Sequence, residues 1–358
     1  MSAHNLGSYL SMGVGGPYGA LIETGSRAET VEAIQALDAA ATPVLILGGG
    51  SNLVVDDAGF AGTVLAQRAA GLEIGAPSGA HGGRLVSVEA GQDWDAFVAA
   101  TVDAGLSGLE ALSGIPGSAG ATPVQNVGAY GADVSQTLVR VDVFDRATDQ
   151  RKELSVGELR MGYRDSLIKR SIENGSPRYL VLGATFELLE GEARPVAYSQ
   201  LASALGVAVG DPVPAAVVRQ AVLELRASKG MVLNDADPDT HSCGSFFTNP
   251  VVGLEQAAAL PEDAPRYPTT EEGRVKLSAA WLIDHAGFHK GFGLAGNPGE
   301  GIAGGRASLS TKHTLAVTNR GGASSADVLA IARAVRDGVQ EAWGIRMEHE
   351  PLIINATL

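Results

Sequence analysis

The sequence predicts an α+β protein of more than one domain, and three observations carry that expectation. The chain has 358 residues, which at about 150 residues per domain gives two to three domains with ample material for buried cores. Segments of helical periodicity alternate with short apolar runs of strand length. The polar, proline-containing stretch LNDADPDT, Leu233 to Thr240, has the composition of a domain boundary.

The elements follow in chain order. Ser26-Arg27-Ala28-Glu29 has the S-x-x-E form of a capping box ahead of Val31, Ile34 and Leu37, so a helix is expected from about Ala28 to Ala39. Thr42-Pro43 ends it, and Val44 to Leu47 reads as a buried strand running into Gly48-Gly49-Gly50-Ser51-Asn52. Val54-Val55 and Thr63 to Leu65 read as strands separated by the acidic turn Asp56-Asp57, so residues 1–70 read as a small α/β unit. Leu85 to Glu89 is the next strand. Asp93 to Ala104 carries Trp94, Phe97, Val98 and Val102 on one helical face, closed by Gly105. The glycine-rich stretch from Leu106 to Gly131 has little periodicity, and a loop of that length inside a compact domain is functional or disordered. Its Ile115, Val124, Val127 and Tyr130 favour an ordered one. Val139 to Phe144 and Tyr179 to Leu188 read as strands. Pro214 fits the first turn of a helix containing Val217, Val218, Ala221, Val222 and Leu225, with Arg226 and Lys229 near its negative end. Ser324 to Asp327 caps a last long helix with a stripe of Val328, Ile331, Ala332, Val335, Val339 and Trp343. Gly344 stops it, and Leu352-Ile353-Ile354 is a terminal strand.

Composition excludes several classes. Lysine and arginine total 26 against 40 aspartates and glutamates, and a net charge of −14 argues against a nucleic-acid or anionic-membrane partner. The start, MSAHNLGSYLSMGVGG, has neither the basic region nor the apolar core of a signal peptide, and no run of about 18 apolar residues exists to span a bilayer. A cytoplasmic protein is expected, with a monomer as the default. The single cysteine, Cys243, excludes an intramolecular disulfide framework and a multi-cysteine metal cluster. The seven histidines form no H-E-x-x-H pair, so no metal site is expected. Glycine, at 47 of 358 residues or about 13 %, is near twice ordinary usage and lacks a Gly-X-Y period. Either the background is rich in glycine and alanine, or glycines stand where backbone turns tightly or approaches a ligand.

Five segments could carry chemistry, each with a plain alternative. A strand followed by GGGSN offers backbone N–H groups to an anion, or is a tight turn. SGIPGSAGATPVQNVGAYG, Ser113 to Gly131, could lie against a flat or charged ligand with Gln125 and Asn126 as amide donors, or is a loop in a glycine-rich protein. In Tyr163-Arg164-Asp165-Ser166 the arginine could hold a carboxylate or phosphate, or pair with Asp165 at the surface. Ser245, in Cys243-Gly244-Ser245-Phe246-Phe247, would have a proton-donating hydroxyl in a partly dry setting. The G-x-S-x-G elbow of a hydrolase is absent, and Cys243 reads as a packing residue. Glu348-His349-Glu350 could do acid–base work, or is a solvated turn.

The order LGGGSN, SGIPGSAGATPVQNVGAYG, YRDS, GSFFTNP, AAWLIDHAG and STKHTLAVTN, then a capped helix and an acidic terminal strand, resembles the UDP-N-acetylenolpyruvoylglucosamine reductase (UDP-N-acetylmuramate dehydrogenase) family. The likeness is to its longer-loop, type I branch and runs from about Ser11 to Ile354. It implies a two-part FAD-binding module of the vanillyl-alcohol-oxidase (PCMH) type, with subdomains at 1–70 and 71–232, and a C-terminal α+β substrate-binding domain at 233–358. It also implies FAD reduced by NADPH. Hydride then passes from flavin N5 to C3 of UDP-N-acetylglucosamine enolpyruvate, and a proton is added at C2 to give UDP-N-acetylmuramate for peptidoglycan.

By the same resemblance Arg164 and Glu350 stabilise the enolate and Ser245 donates the proton. Gly48, Gly49, Gly50, Ser51, Asn52, Ser113, Ile115, Pro116, Gly117, Gly120, Ala121, Gln125 and Gly131 match FAD contacts. Tyr198, Lys229, Asn249 and His313 match substrate contacts. An FAD-dependent oxidase or dehydrogenase of the same fold acting on another substrate is an alternative, but flavin is often tethered there through His or Cys, and these loops contain neither. A nucleotide-sugar binder that has lost catalysis is another, opposed by the presence of Arg164, Ser245 and Glu350.

Overall fold

The computed structural model describes residues 4–78, 83–191, 193–269 and 271–358, so the first three residues of the N-terminal stretch lie outside it. The chain divides into two compact units. One is built from Tyr18–Gly50 and Phe60–Val232, the other from Met1–Pro17, Ser51–Gly59 and Leu233–Leu358.

Two of the sheets in the first unit have three or more strands. Tyr18–Thr24, Phe60–Gln67 and Val44–Leu47 form a parallel sheet with Phe60–Gln67 at its centre. The continuous apolar run Val44–Leu47 suits a strand covered on both faces. Helix Arg27–Ala39 starts where Ser26 accepts a hydrogen bond from the Glu29 amide, and it buries Ile34 in one cluster with Val44, Leu65, Phe144, Leu180 and Leu182. The second sheet is antiparallel, in the order Gln150–Ser155, Leu138–Asp145, Tyr179–Glu190, Gly83–Glu89, Leu72–Ser78. Helix Trp94–Asp103, capped by Asp93, packs Trp94 and Phe97 on Phe186 with ring centroids 5.6 to 5.9 Å apart. Asp145 is buried in this sheet. Hydrogen bonds from Arg178 at 2.8 and 2.9 Å and from Lys152 at 2.6 Å hold its carboxyl well below the usual range. Helix Ala215–Ser228 has Pro214 as its N-cap, one position earlier than the first-turn place expected.

The second unit is organised by helix Ser325–Trp343. Ser324 and Asp327 form a reciprocal capping box at its start, and Val328, Ile331, Ala332, Val335 and Val339 are buried in the core of the unit. The hairpin Ala307–Leu309/Val317–Asn319 and the sheet Val251–Gly253/Arg274–Leu277/Arg266–Tyr267 complete it.

Residues 1–70 are shared between the units, against the expectation of one small α/β piece. Leu53–Val55 pairs in parallel with the terminal strand Leu352–Ile354. The Asp57 carboxylate accepts from the Ser325 amide at 2.9 and 3.0 Å, and the Asp57 amide donates to Ser325 Oγ at 3.0 Å, so the acidic turn doubles as a cap for the long helix. An apolar β-branched run specifies a strand and says nothing of its partner, which here comes from the far end of the chain. Among the described residues no helix is long and apolar enough to cross a membrane, and no group of three or more His, Cys, Asp or Glu is placed to hold a metal ion.

The Arg306 guanidinium, bonded to Asp327 at 2.6 and 2.9 Å, is the largest influence holding that carboxyl down at about 2. A carboxyl depressed by folding stabilises the protein above its unfolded value near 4 and ceases to do so as pH falls through its folded value. Asp327→Asn should therefore cost about 1 kcal/mol at pH 7, with the difference from the parent shrinking between pH 4 and pH 2 in urea unfolding curves. A pH-independent difference would contradict this account.

Candidate active site

In the first unit the two glycine-rich segments meet. A Cβ placed on Gly49 would lie 2.4 Å from Gly117 Cα and 2.8 Å from its carbonyl carbon, so only glycine allows this approach. The second loop is fastened to the turn before helix Trp94–Asp103. Ala119 N donates to Gln92 O at 2.8 Å, Gly120 N to Ala90 O at 2.9 Å, and Trp94 N to Gly117 O at 3.0 Å. Ala121 N bonds to Ser118 O, so the amides of Ala119, Gly120 and Ala121 are engaged within the chain, and these residues shape the loop. Ser113 is buried and donates to Glu110 O, and the Gly114 amide donates to Asp95 Oδ1 at 2.6 Å. Ile115 packs on the adjoining core, Pro116 follows it, and Gln125 is half-buried further along the loop.

Arg164 is bound to this loop. Its guanidinium donates to Gly128 O at 2.7 Å and to Asn126 O at 3.3 Å. Asp165, the expected surface partner, is bonded to Arg170. Arg164 has φ +54°, a left-handed conformation that costs a side-chain-bearing residue roughly 1–2 kcal/mol and that its surroundings must enforce.

Three further expected residues gather at the loop's end. Tyr130, next to Gly131, packs edge-on to Tyr198 with centroids 5.8 Å apart, and Lys229 Nζ stands 5.6 Å from the Tyr130 ring centre. Lys229 also donates to Gln200 Oε1 at 2.7 Å. Arg226, one turn earlier in the helix, was legible only as a helix-end cation. It is 7 % exposed, donates to Met231 O at 3.0 Å, and keeps its Nε buried with no protein partner. That atom lies 3.4 Å from where a Gly114 Cβ would stand.

In the second unit the acidic segment is a strand partner. Glu350 N donates to Phe246 O at 2.9 Å, Thr248 N donates to Glu348 O at 3.0 Å, and Phe247 faces His349 across this antiparallel pairing. Ser245 therefore adjoins the Glu350 end, while Glu348 lies exposed beside Thr248. Asn52 holds the other edge: its Nδ2 donates to Glu350 O at 3.2 Å, and its carbonyl accepts from Leu352 N at 3.0 Å. Ser51 O accepts from Ser11 Oγ at 3.3 Å. Gly244, at φ +69°, makes the turn that presents Ser245 ahead of the buried Phe246 and Phe247. Burial, with the Glu350 charge second, pushes the Cys243 thiol up to about 12, so it is no nucleophile at neutral pH. Asn249 Oδ1 accepts from Ala279 N at 2.9 Å at the start of helix Ala279–His285. His313 is half-buried in the Ser310–Ala316 turn, its amide bonded to Ser310 Oγ.

Within the first unit the structure thus brings Arg164 to the second glycine loop, and both Lys229 and Tyr198 to Tyr130. Within the second it brings Ser51, Asn52, Ser245 and Glu350 into one set of paired segments, with Asn249 and His313 on separate elements. Sequence reasoning named Asn126 as an amide donor to a ligand but missed its bond to Arg164, and it missed Asp95, Arg226 and Lys169, whose Nζ donates to Arg164 O at 2.8 Å. The signal for Lys169 was its place as the third residue of a helix capped by Ser166 in YRDSLIK.

A family model described as FAD binding domain matches residues 18–154, and one described as UDP-N-acetylenolpyruvoylglucosamine reductase, C-terminal domain, matches residues 237–354. Curated relatives carrying the name UDP-N-acetylenolpyruvoylglucosamine reductase include that of Thermobifida fusca, 49 % identical over 99 % of this chain and 97 % of its own length. That of Nocardia farcinica is 51 % identical over 99 % and 90 %. A solved reductase of the same name from Thermus caldophilus is 25 % identical with a TM-score of 0.61, covering 98 % of this chain and 97 % of that one.

The Gly49–Gly117 approach predicts that Gly49→Ala lowers stability by about 1–3 kcal/mol in thermal unfolding, because backbone cannot yield as a flexible side chain would. Gly157→Ala, whose Cβ meets only Ser155 Oγ at 4.0 Å, should leave the midpoint unchanged or raise it. Equal effects of the two substitutions would contradict the close approach.

Proposed function

The chain belongs to the UDP-N-acetylenolpyruvoylglucosamine reductase family, and from that premise we propose how its own residues perform the reaction. It is an oxidoreductase that uses FAD and NADPH to reduce UDP-N-acetylglucosamine enolpyruvate to UDP-N-acetylmuramate, a step of peptidoglycan precursor synthesis. FAD, when bound, supplies the hydride.

The first unit fits such a group. Gly48, Gly49, Gly50, Ser113, Ile115, Pro116, Gly117, Gly120, Ala121, Gln125 and Gly131 would hold it. Gly49 and Gly117 exclude side chains from their shared surface, and Arg226 supplies a buried guanidinium whose Nε lacks a protein acceptor. Ser51 and Asn52 keep the cofactor role that the family pattern gives them, and Asn52 in addition fixes the strand of Glu350.

Hydride addition to the enolpyruvyl ether moves negative charge onto its carboxylate side, and a fixed cation stabilises that charge as it develops. Arg164 takes this role. The carbonyls of Asn126 and Gly128 orient its guanidinium. Ser245 gives its hydroxyl proton to C2, and Glu350 takes the stabilising role beside it. Serine is a poor acid in water, so the half-buried setting after Gly244 matters. Lys229 and Asn249 take the substrate's diphosphate part, and Tyr198 and His313 are further substrate contacts. A local cation is needed because the net charge of −14 repels anions at long range.

The observation that supports this reading is the backbone pairing of Phe246–Thr248 with Glu348–Glu350, in which Phe246, the neighbour of Ser245, lies opposite Glu350 and Thr248 lies opposite Glu348. The purified protein should be yellow, bleach with NADPH and regain colour on adding the enolpyruvyl substrate without oxygen. Ser245→Ala should still bleach but regain colour about 10²- to 10⁴-fold more slowly. If recovery in stopped flow matches the parent, Ser245 is not the acid, and if the parent recovers only with oxygen the substrate is wrong.

A further inference from the structure

We propose that Lys169 is a positioning residue for Arg164, acting by locking the peptide that follows it. The inference rests on the role given to Arg164 above.

The peptide unit between Arg164 and Asp165 is held at both ends. Its N–H, on Asp165, donates to Gly162 O at 3.3 Å, and its C=O accepts from Lys169 Nζ at 2.8 Å. Gly162 N closes the turn by donating to Asp165 O at 3.0 Å. An ammonium on a carbonyl is a charge-assisted hydrogen bond, stronger than the neutral bonds around it. Lysines in the last turn of a helix commonly satisfy that helix's own last carbonyls. In the four-residue helix Leu167–Arg170, Lys169 reaches back five residues to a carbonyl outside it.

Lys169 is itself anchored. Ser166 Oγ accepts from the Lys169 amide at 3.1 Å and donates to Val124 O at 2.5 Å, so the base of the lysine is tied to the same loop that receives the guanidinium. Asn126 completes the clasp. It too is left-handed, at φ +48°, its Nδ2 donates to Gly162 O at 3.0 Å, and its carbonyl accepts from Arg164. The backbone of Arg164 is thus fixed by Lys169 and Gly162, and its side chain by Asn126 and Gly128. A left-handed residue bearing a side chain persists where its surroundings over-determine it, and here they do so at the residue assigned to transition-state charge. Lys169 acts through the carbonyl, so removing it changes where the guanidinium points and leaves the guanidinium present.

The test uses the FAD-loaded full chain and follows two rates, bleaching by NADPH and recovery of colour on the enolpyruvyl substrate. Lys169→Met should leave bleaching unchanged and slow recovery by about 10- to 100-fold, the cost of misplacing a catalytic group by about 1 Å. Lys169→Arg should restore most of the loss. In an Arg164→Lys background, Lys169→Met should add little further slowing, because the group it positions is already gone. Equal slowing of both rates, or effects that multiply across the two backgrounds, would overturn the proposal. If Arg164→Lys alone recovers colour at the parental rate, the role of Arg164 fails, whatever Lys169 does. Should Lys169→Met yield no yellow protein, Lys169→Gln replaces it with the same expected pattern and the same disproof.

Discussion

The second unit depends on the backbone pairing of one short segment, Glu350 to Leu352. Its amide at Glu350 goes to Phe246, its carbonyl there is held by Asn52, and Leu352 returns a bond to Asn52 O. Two stretches, roughly one hundred and three hundred residues earlier in the chain, are thereby fixed to it. Closing such long loops costs entropy that grows only logarithmically with length, so distant pairing is thermodynamically tolerable once the strands have apolar faces to bury. Val54 and Ile354, both nearly inaccessible, provide such faces. The bonds that register the terminal strand also decide which of the two glutamates lies opposite Phe246 and which opposite Thr248.

The first unit solves its problem differently, with local backbone conformations that are unfavourable one at a time. Arg164 and Asn126 are both left-handed and hold one another through Gly162, while Gly49 and Gly117 pass too close for any side chain. These features make sense together: each over-determines the next, and the result is a rigid surface of backbone and one oriented guanidinium. The abundance of glycine thereby acquires a more particular meaning. At Gly49 the demand comes first from the neighbouring loop, so glycine is required there whether or not a ligand is bound.

What was legible in the sequence follows the range of the interactions. Caps at Ser26, Asp93 and Ser324 act within a few residues, and the sequence announces them. Strands such as Val44–Leu47 and Tyr179–Glu190 declare themselves by composition. The partner of Leu53–Val55, the capping of the long helix by Asp57, and the bonding of Arg164 to the carbonyls of Asn126 and Gly128 were not legible. Each is a choice among distant groups that periodicity does not encode. The order of motifs along the chain named candidate residues without giving their geometry. Glu350 and Glu348 look alike in sequence and differ only once Phe246–Thr248 is laid beside them.

Charge is the last constraint, and it explains why the first unit concentrates its cations where it does. At ordinary ionic strength the field of a surface charge fades within about 8–10 Å, so the net acidity governs approach to the molecule and not binding within a loop. The cations nearest that loop are Arg164, Lys229 and Arg226, all tied to the second glycine loop or the helix end beside it. Burial lowers the pKa of Arg226, with Tyr130 and Asp95 opposing, but a guanidinium starts so high that it stays charged. Asp95, the nearby acid, is already clamped by Arg219 at 2.6 and 2.8 Å, and so does not neutralise Arg226 by direct bonding. A buried cation with an unused N–H is costly in an apolar interior unless an anion arrives. The loop therefore carries in its own fold an energetic preference for a negatively charged guest, and an acidic protein can bind diphosphates without becoming basic overall.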